Sequence, residues 1–179
     1  PAAITRDAEW NPHGQAEHTD RTRSLYLPAG AWQNVLTALL NALGTSPNTN
    51  IVWDLDDAVS DAIGISFVAP ADLVTGTPVA VLHWFANAGA AAADVVWRLT
   101  ARVLAVGDDS FVAGTSASTT SARNAGIRGK TSSTVTFPIA LTAGQHVRLV
   151  IERIGGDAAD TLALAASFLG LDLQYTADG

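Results

Sequence analysis

Apolar and polar residues alternate along much of the chain after residue 50, a pattern that predicts β-strands with one buried face. The clearest alternation lies in 94–106 and in 146–154, where Arg98, Arg102 and Arg148 occupy the polar side. The segment 78–87 is apolar on both sides, which predicts a central strand or one under a second layer. About eight such strands, separated by turn residues and not by helices, predict an antiparallel β-sandwich of the jelly-roll type.

The last apolar segment, 161–176, changes the side on which its large residues lie. These residues form two sets of opposite parity: Leu162, Leu164, Ala166 and Phe168, then Leu171, Leu173 and Tyr175. A strand with a period of two buries both sets on one face only if an extra residue intervenes. We therefore expect a β-bulge or bend at Leu169–Gly170, where a glycine tolerates unusual backbone angles.

The first 50 residues depart from the strand pattern. Residues 1–23 mix proline, histidine, glycine and charges and predict an extended N-terminal arm, with Ile4 and Trp10 as its apolar anchors. The arm is either a disordered tail or a segment that docks on a neighbouring subunit. Residues 24–179 are predicted to form the jelly-roll domain. Within it, apolar residues at helical spacing predict a helix over about 30–43: Trp32, Val35, Leu36, Leu39, Leu40 and Leu43.

The charge balance is acidic, with 10 Lys+Arg against 17 Asp+Glu and a formal net charge of −7. Since nucleic-acid phosphates repel such a chain, nucleic acid is not a predicted partner. Arg123, Arg128 and Lys130 lie close together and predict a solvated loop or a contact for an acidic partner. No apolar run is long enough for a membrane span, so no membrane partner is predicted. Cysteine is absent, which excludes disulfides, thiolate-bound metals and a cysteine nucleophile.

Groups suited to catalysis are sparse in this sequence. No metalloprotease, serine-hydrolase or nucleotide-binding motif is present. Of the four histidines, His83 lies in an apolar strand and is predicted to be structural and hydrogen-bonded, while His146 begins a strand. We therefore predict a chain that is not an enzyme and that uses no cofactor.

Two acidic segments carry competing predictions. The aspartates of 54–61 predict a solvated connector, an oxygen-ligand metal site or a catalytic pair. Asp157 and Asp160 flank a glycine turn and favour hydrogen bonds to backbone amides, with a metal site or catalysis as alternatives. A glycosidase-like pair would need Asp54 or Asp56 to face the second segment across a cleft.

The tryptophans have two possible roles. Aromatic rings can stack on sugars, but most of these residues lie in apolar strands, which favours packing in the core or in an interface. They are Trp10, Trp32, Trp53, Trp84 and Trp97.

Three segments, 52–73, 79–108 and 147–176, together resemble a jelly-roll module found in structural proteins of tailed bacteriophages. The shared features are a Trp strand with an acidic turn, a Ser-Phe-x-x-Pro motif, an Arg before a turn with two Asp and Thr, and a closing Leu-Gly-x-x-Leu-x-Tyr. In this sequence they are Trp53, Asp56, Asp57, Ser66, Phe67, Pro70, Arg153, Asp157, Asp160, Thr161, Leu169, Gly170, Leu173 and Tyr175.

The resemblance implies a virion structural protein, in the first place a homotrimeric capsid decoration protein, made in the host cytoplasm. Its partners would be sister copies and the major capsid protein or another virion protein. The alternative is a receptor- or carbohydrate-binding module of a tail fibre or tip. Burial of apolar strands between copies would stabilise a closed trimer. The predicted subunit or capsid contacts are Ile4, Trp10, Trp32, Leu36, Leu40, Trp84, Phe85 and Trp97.

Overall fold

The structure is a computed structural model that describes residues 9–10, 16–17, 21–43, 50–86, 92–108, 113–124, 126 and 128–178. Regular structure in this part is β-strand, apart from one 3-10 turn at Ala29–Ala31. In the same residues, no helix is long and apolar enough to cross a membrane. The strands are β1 (Glu9–Trp10), β2 (Ala16–Glu17), β3 (Arg21–Pro28), β4 (Gln33–Leu36), β5 (Leu39–Leu43), β6 (Asn50–Leu55), β7 (Ser60–Val68), β8 (Val79–Ala86), β9 (Asp94–Leu104), β10 (Thr115–Ala122), β11 (Thr131–Thr136), β12 (His146–Ile154) and β13 (Ala166–Ala177).

Two antiparallel sheets form a sandwich, as the sequence predicted. The five-stranded sheet has the order β10-β9-β12-β7-β4. The six-stranded sheet has the order β11-β8-β13-β6-β5, and β3 also pairs with β13. One edge of β13 is therefore shared, because its first residues pair with β6 and the residues from Gly170 onward pair with β3. Strands β1 and β2 form a separate two-stranded pair.

The alternation in β9 and β12 sorts the side chains as predicted. Leu99 and Leu149 are fully buried between the sheets, whereas Arg98 and Arg148 lie on the opposite side of their strands. The strand β8 lies between β11 and β13 and is buried on both sides, which confirms its predicted central position.

Aromatic pairs join the layers of the core. Trp84 on β8 meets Trp97 on β9 edge to face, with ring centroids 5.8 Å apart. Trp32 meets Phe168 in the same geometry at 5.3 Å. Such pairs add about 0.5–1.5 kcal/mol beyond the burial of their area. The contact between Trp84 and Trp97 joins the two sheets, since β8 and β9 belong to different sheets.

The predicted bulge in the last strand is present. The register of β13 against β8 shifts between Phe168 and Gly170, and Gly170 has a φ of +154°. Phe168 before the shift and Leu171 after it are both fully buried. The extra residue therefore places both apolar sets on the core side, for the reason that the parity of the sequence indicated.

The predicted helix over 30–43 is wrong. The segment forms β4, which pairs with β7, and β5, which pairs with β6, so that the chain crosses from one sheet to the other. Thr37, at the crossing, has a φ of 47°. Burial of Trp32 and backbone pairing at two sheet edges outweigh the local helical spacing. As a result, the side chains of Leu39 and Leu40 are 70% and 58% exposed.

The alternation of apolar and polar residues does not predict strand β10. Its sequence, Thr-Ser-Ala-Ser-Thr-Thr-Ser-Ala, has no large apolar residue and therefore no strong alternation. It lies at the edge of the five-stranded sheet and pairs with β9 along its whole length. Pairing with a strongly patterned neighbour, and not its own composition, makes it a strand.

Candidate functional site

The residues predicted to make subunit contacts fall into three groups. Trp32, Trp84, Trp97 and Phe85 are buried within this single chain, where neighbouring strands already cover them. Leu36 and Leu40 are exposed on the edge strands β4 and β5 and stay predicted contact residues. Ile4 lies outside the described residues, and only the backbone of Trp10, in β1, is described.

A tryptophan platform for stacking on sugars does not form in the described part of the chain. Trp53, like Trp32, Trp84 and Trp97, is buried. The indole N–H of Trp53 donates to the carbonyl of Ala29 at 3.0 Å, and that of Trp84 donates to the Ser133 hydroxyl at 2.6 Å. These rings pack the core, which is the interpretation that their apolar surroundings favoured.

The turn with Asp157 and Asp160 has a structural role. Asp157 Oδ1 accepts the amide of Ala159 at 2.9 Å, which is the predicted Asx-type turn. Asp160 is instead buried in an ion pair with Arg153, with Nε–Oδ2 at 3.0 Å and Nη2–Oδ1 at 2.8 Å. The alternation of β12 puts Arg153 on the buried side with Leu149 and Ile151, but nothing local in the sequence shows that Asp160 folds back to pair with it.

Arg153 is fully buried and saturated with acceptors. Besides Asp160, it donates to the carbonyls of Leu55 at 3.0 Å, Leu164 at 2.5 Å and Leu162. The Asp160 carboxylate also accepts the amide of Val96 at 3.1 Å. This network ties the turn before β13 to three strands, and both Asp160 oxygens are used in it.

The acidic segment 54–61 is also engaged within the chain. Asp61 is buried and accepts hydrogen bonds from the Thr37 hydroxyl and, at 2.6 Å, from the Asp56 amide. The backbone amide of Ala58, together with Asp57, holds the pKa of Asp56 below its usual value. Within the described ranges, no group of three His, Asp or Glu side chains is placed to hold a metal ion.

An exposed aromatic ring lies on the outer face of the six-stranded sheet. Tyr26 on β3 is 51% exposed, and its hydroxyl donates to the carbonyl of Leu169 at 3.1 Å. Its ring covers Gly170 so closely that a Cβ at that glycine would lie 2.8 Å from two ring carbons. The bulge glycine thus provides the space in which the Tyr26 ring is held.

Polar side chains border this ring. His83 on β8 has its ring centroid 6.5 Å from that of Tyr26, and its Nε2 lies 2.7 Å from Asp172 Oδ2. His83 Nδ1 is 3.0 Å from the Ser132 hydroxyl, and Ser24 donates to Asp172 Oδ1 at 3.0 Å. The predicted structural role of His83 is confirmed. Ser24, Tyr26, His83, Ser132 and Asp172 together define what we name the tyrosine face.

The electrostatics of the tyrosine face favour a charged Asp172. Burial raises the pKa of Asp172, but hydrogen bonds from His83 and Ser24 and the positive charges of His83 and Lys130 outweigh it, so the pKa is lowered. Burial and the nearby Asp172 charge raise the pKa of Tyr26. At neutral pH the face therefore presents a carboxylate acceptor beside a neutral phenol.

Two cavities lie on the outer face of the five-stranded sheet. One cavity of about 310 Å³ is lined by β4 and β7, including Gln33, Gly64 and Ser66. A second cavity of about 140 Å³ is lined by Thr100, Arg102 and Gly114. Arg148 lines both cavities. We name these two cavities together the arginine groove.

The sequence by itself indicated neither the tyrosine face nor the arginine groove. The alternation predicted that Arg98, Arg102 and Arg148 point outward, but the position of Arg102 opposite Arg148 depends on the register of two strands far apart in the chain. Tyr26, His83 and Asp172 come from three strands, and His83 and Asp172 are 89 positions apart. The only available signal was that polar residues occupy the outward positions of predicted strands.

Solved structures with a similar fold are known. A family 35 carbohydrate-binding module from Clostridium thermocellum matches with a TM-score of 0.53 at 11% identity, over 84% of this chain and 97% of that one. No protein-family model and no curated protein matches the sequence. At this identity the likeness shows the fold, a β-sandwich, and no more.

Two larger enzymes contain a similar sandwich. A cycloisomaltooligosaccharide glucanotransferase from Paenibacillus sp., complexed with cycloisomaltoheptaose, matches with a TM-score of 0.51 at 13% identity over 83% of this chain. An isomalto-dextranase from Arthrobacter globiformis T6, complexed with panose, matches with a TM-score of 0.52 at 17% identity over 85%. The chain spans only 18% and 23% of these proteins, and the likeness is one of fold alone.

Proposed function

We propose that this chain is a non-catalytic carbohydrate-binding module that holds a neutral saccharide against the tyrosine face. The observation that carries the proposal is the half-exposed Tyr26 ring, fixed over Gly170 and bordered by hydrogen-bonding side chains. The fold likeness to a family 35 carbohydrate-binding module, over nearly the whole of that module, supports it.

The geometry suits a sugar ring for two reasons. The C–H groups on one face of a pyranose pack against an aromatic ring, as apolar groups do. Its hydroxyls then reach donors and acceptors at the edge of the ring, and a charged carboxylate such as Asp172 is a strong acceptor.

Binding is also favoured because the tyrosine face is organised before a ligand arrives. The Tyr26 hydroxyl is tied to Leu169, and His83 is held between Ser132 and Asp172. Side chains that are already ordered lose less entropy on binding. The face therefore offers its acceptors and its ring in one fixed arrangement.

The test is calorimetric titration of the chain with neutral oligosaccharides: isomalto-, xylo-, manno- and cello-hexaose. We expect one of them to bind, and Tyr26→Ala to weaken that binding about tenfold or more, as loss of an aromatic anchor does. Tyr26→Phe keeps the ring and should retain most of the affinity.

Leu40→Ala serves as a matched control, since it removes an exposed apolar side chain from the same sheet, away from Tyr26. Its affinity should equal that of the parent chain. If no hexaose binds, or if Tyr26→Ala binds as well as the parent, the proposed function is wrong.

Capsid decoration and a homotrimer stay predictions from the sequence. The feature that bears on self-association is the exposed apolar set on β4, β5 and β6, namely Val35, Leu36, Leu39, Leu40 and Ile51. Light scattering with and without isolated capsids tests both. A monomer that does not sediment with particles would contradict them and leave the carbohydrate proposal intact.

A further inference from the structure

We propose that strand β5 pairs with β5 of a second copy of this chain, so that two six-stranded sheets join edge to edge. Strand β5 is the last strand of its sheet in the part of the chain that the structure describes. The outer side of such a strand offers backbone amides and carbonyls to a further strand. The inference does not depend on the function proposed for Tyr26.

The first observation is that β5 exposes large apolar side chains on both of its faces. Leu39 and Leu40 are both exposed, and as neighbours in a strand they point to opposite faces. Ile51 on β6 is also exposed and lies diagonal to Leu40, since Leu40 pairs with Trp53 and Ala42 pairs with Ile51. A strand added beside β5 would remove apolar area from water on both faces of the sheet.

The second observation is that β5 lacks the features that protect an edge strand from pairing with another chain. It pairs with β6 along its whole length without a bulge, and it holds no charge and no proline. By contrast, β4 has a register shift between Asn34 and Leu36, and β3 carries two arginines. The edge strands β10 and β11 consist mainly of Ser and Thr and show no exposed large apolar side chain among the described residues.

The distribution of charge favours a second copy as the occupant of this edge. The chain has a formal net charge of −7, so most approaches of two copies bring like charges together. The segment 24–53, which contains β4 and β5, has no Asp, Glu, Lys, Arg or His. Two copies can therefore meet along this segment without repulsion between side chains, whereas a partner that is held by opposite charge finds none here.

Antiparallel pairing makes β5 complementary to itself. When the five residues of the two strands overlap fully, the Asn41 residues of the two copies are opposite each other and a two-fold axis passes between them. Leu39 and Leu40 of both copies then border the joint, one on each face of the sheet. Such a contact uses the same edge of both copies and closes on two, which distinguishes it from the homotrimer predicted from the sequence.

The test is sedimentation equilibrium of the full chain over a series of micromolar concentrations. We expect twice the mass of one chain. Leu39→Lys and Leu40→Lys should each raise the dissociation constant of the dimer at least about tenfold, because each variant brings two like charges to the joint. Thermal unfolding of the variants confirms that they are folded.

Val68→Lys is the matched control, since Val68 is a similarly exposed apolar residue that lies on the other sheet. It makes the same charge change away from the joint and should alter the dissociation constant no more than about threefold.

A second measurement uses the absence of cysteine from the chain. In Asn41→Cys, the two new thiols would lie opposite each other at a Cα separation of about 4.5–5.5 Å, which is within the range of a disulfide. Mild oxidation should link two copies of Asn41→Cys and should not link two copies of the control Val68→Cys.

Four outcomes would overturn the inference. The mass of a single copy at every concentration and the mass of three copies would each contradict the pairing of two chains. Equal weakening in Leu40→Lys and Val68→Lys would contradict the contact at β5, and so would the lack of a disulfide in folded Asn41→Cys where the parent chain is dimeric. Hexaose binding is measured separately, so the failure of one proposal leaves the other standing.

Discussion

The tyrosine face and the arginine groove lie on different sheets of one sandwich and differ in how their polar groups are satisfied. On the tyrosine face, His83 and Asp172 bind each other, and each has a serine partner as well. In the groove, Arg102 faces Arg148, and the Nη1 of Arg102 has no acceptor among the described residues.

Arg153 is an arginine whose guanidinium nitrogens all have hydrogen-bond acceptors. It lies on β12, as Arg148 does, but on the inner side, where a carboxylate and three carbonyls accept its hydrogen bonds. One strand therefore carries one arginine that holds the fold and another that faces a cavity. The difference teaches that burial together with an acceptor for every donor, and not the residue type, marks Arg153 as a structural arginine.

The largest loss in the free energy of unfolding should come from replacing Arg153. Arg153→Met leaves Asp160 buried without its cation and leaves the carbonyls of Leu55, Leu162 and Leu164 without a donor. We expect the free energy of unfolding to fall by about 3–5 kcal/mol. Urea unfolding followed by tryptophan fluorescence measures it.

The control for that experiment is Arg98→Met, which breaks a partly exposed ion pair with Glu152. It should lower the free energy of unfolding by no more than about 1 kcal/mol. Equal losses in the two variants would show that burial and saturation do not distinguish these arginines.

A smaller loss in the free energy of unfolding is expected from a change on the tyrosine face, and this loss should depend on pH. Asp172→Asn removes the charge that His83 and Ser24 bind, at a cost of about 1–2 kcal/mol in the free energy of unfolding near neutral pH. Because the folded state lowers the pKa of Asp172, this contribution is complete above the unfolded pKa of about 3.9. It is lost as the pH falls through the folded pKa.

The measurement is the difference in unfolding free energy between the parent chain and Asp172→Asn, at several pH values from neutral to acid. The difference should shrink as the pH drops below the unfolded pKa. Asp178→Asn, at an exposed position, makes the same charge change and serves as the control. A difference that grows in acid would reverse the sign and refute the role of the Asp172 charge.

The smallest effect on stability should come from the groove. Arg102→Gln removes a charge that faces another positive charge, so the free energy of unfolding should stay within about 0.5 kcal/mol or rise slightly. A loss of about 2 kcal/mol or more would place Arg102 with Arg153 as a structural residue. Urea unfolding under the conditions used for Arg153→Met gives the direct comparison.

Some elements of this fold can be predicted from the sequence because the pattern that specifies them lies within one strand. The alternation of β9 and β12 fixed which side chains face the core, and the parity change near Gly170 indicated a bulge. The failure at 33–43 has the opposite cause. Its apolar spacing suits a helix, yet its backbone pairs with two different sheets, and no local pattern reports which distant edges are free.

By itself, the sequence determined an all-β sandwich, a central β8, the inner and outer sides of the patterned strands and the bulge in β13. These follow from periodicity, which each strand carries in its own residues. Only the tertiary structure decided that β10 is a strand, that Arg153 meets Asp160, that Tyr26 lies over Gly170 and that Arg102 faces Arg148. Each of these depends on register between strands, and register is set by the packing of the whole sandwich.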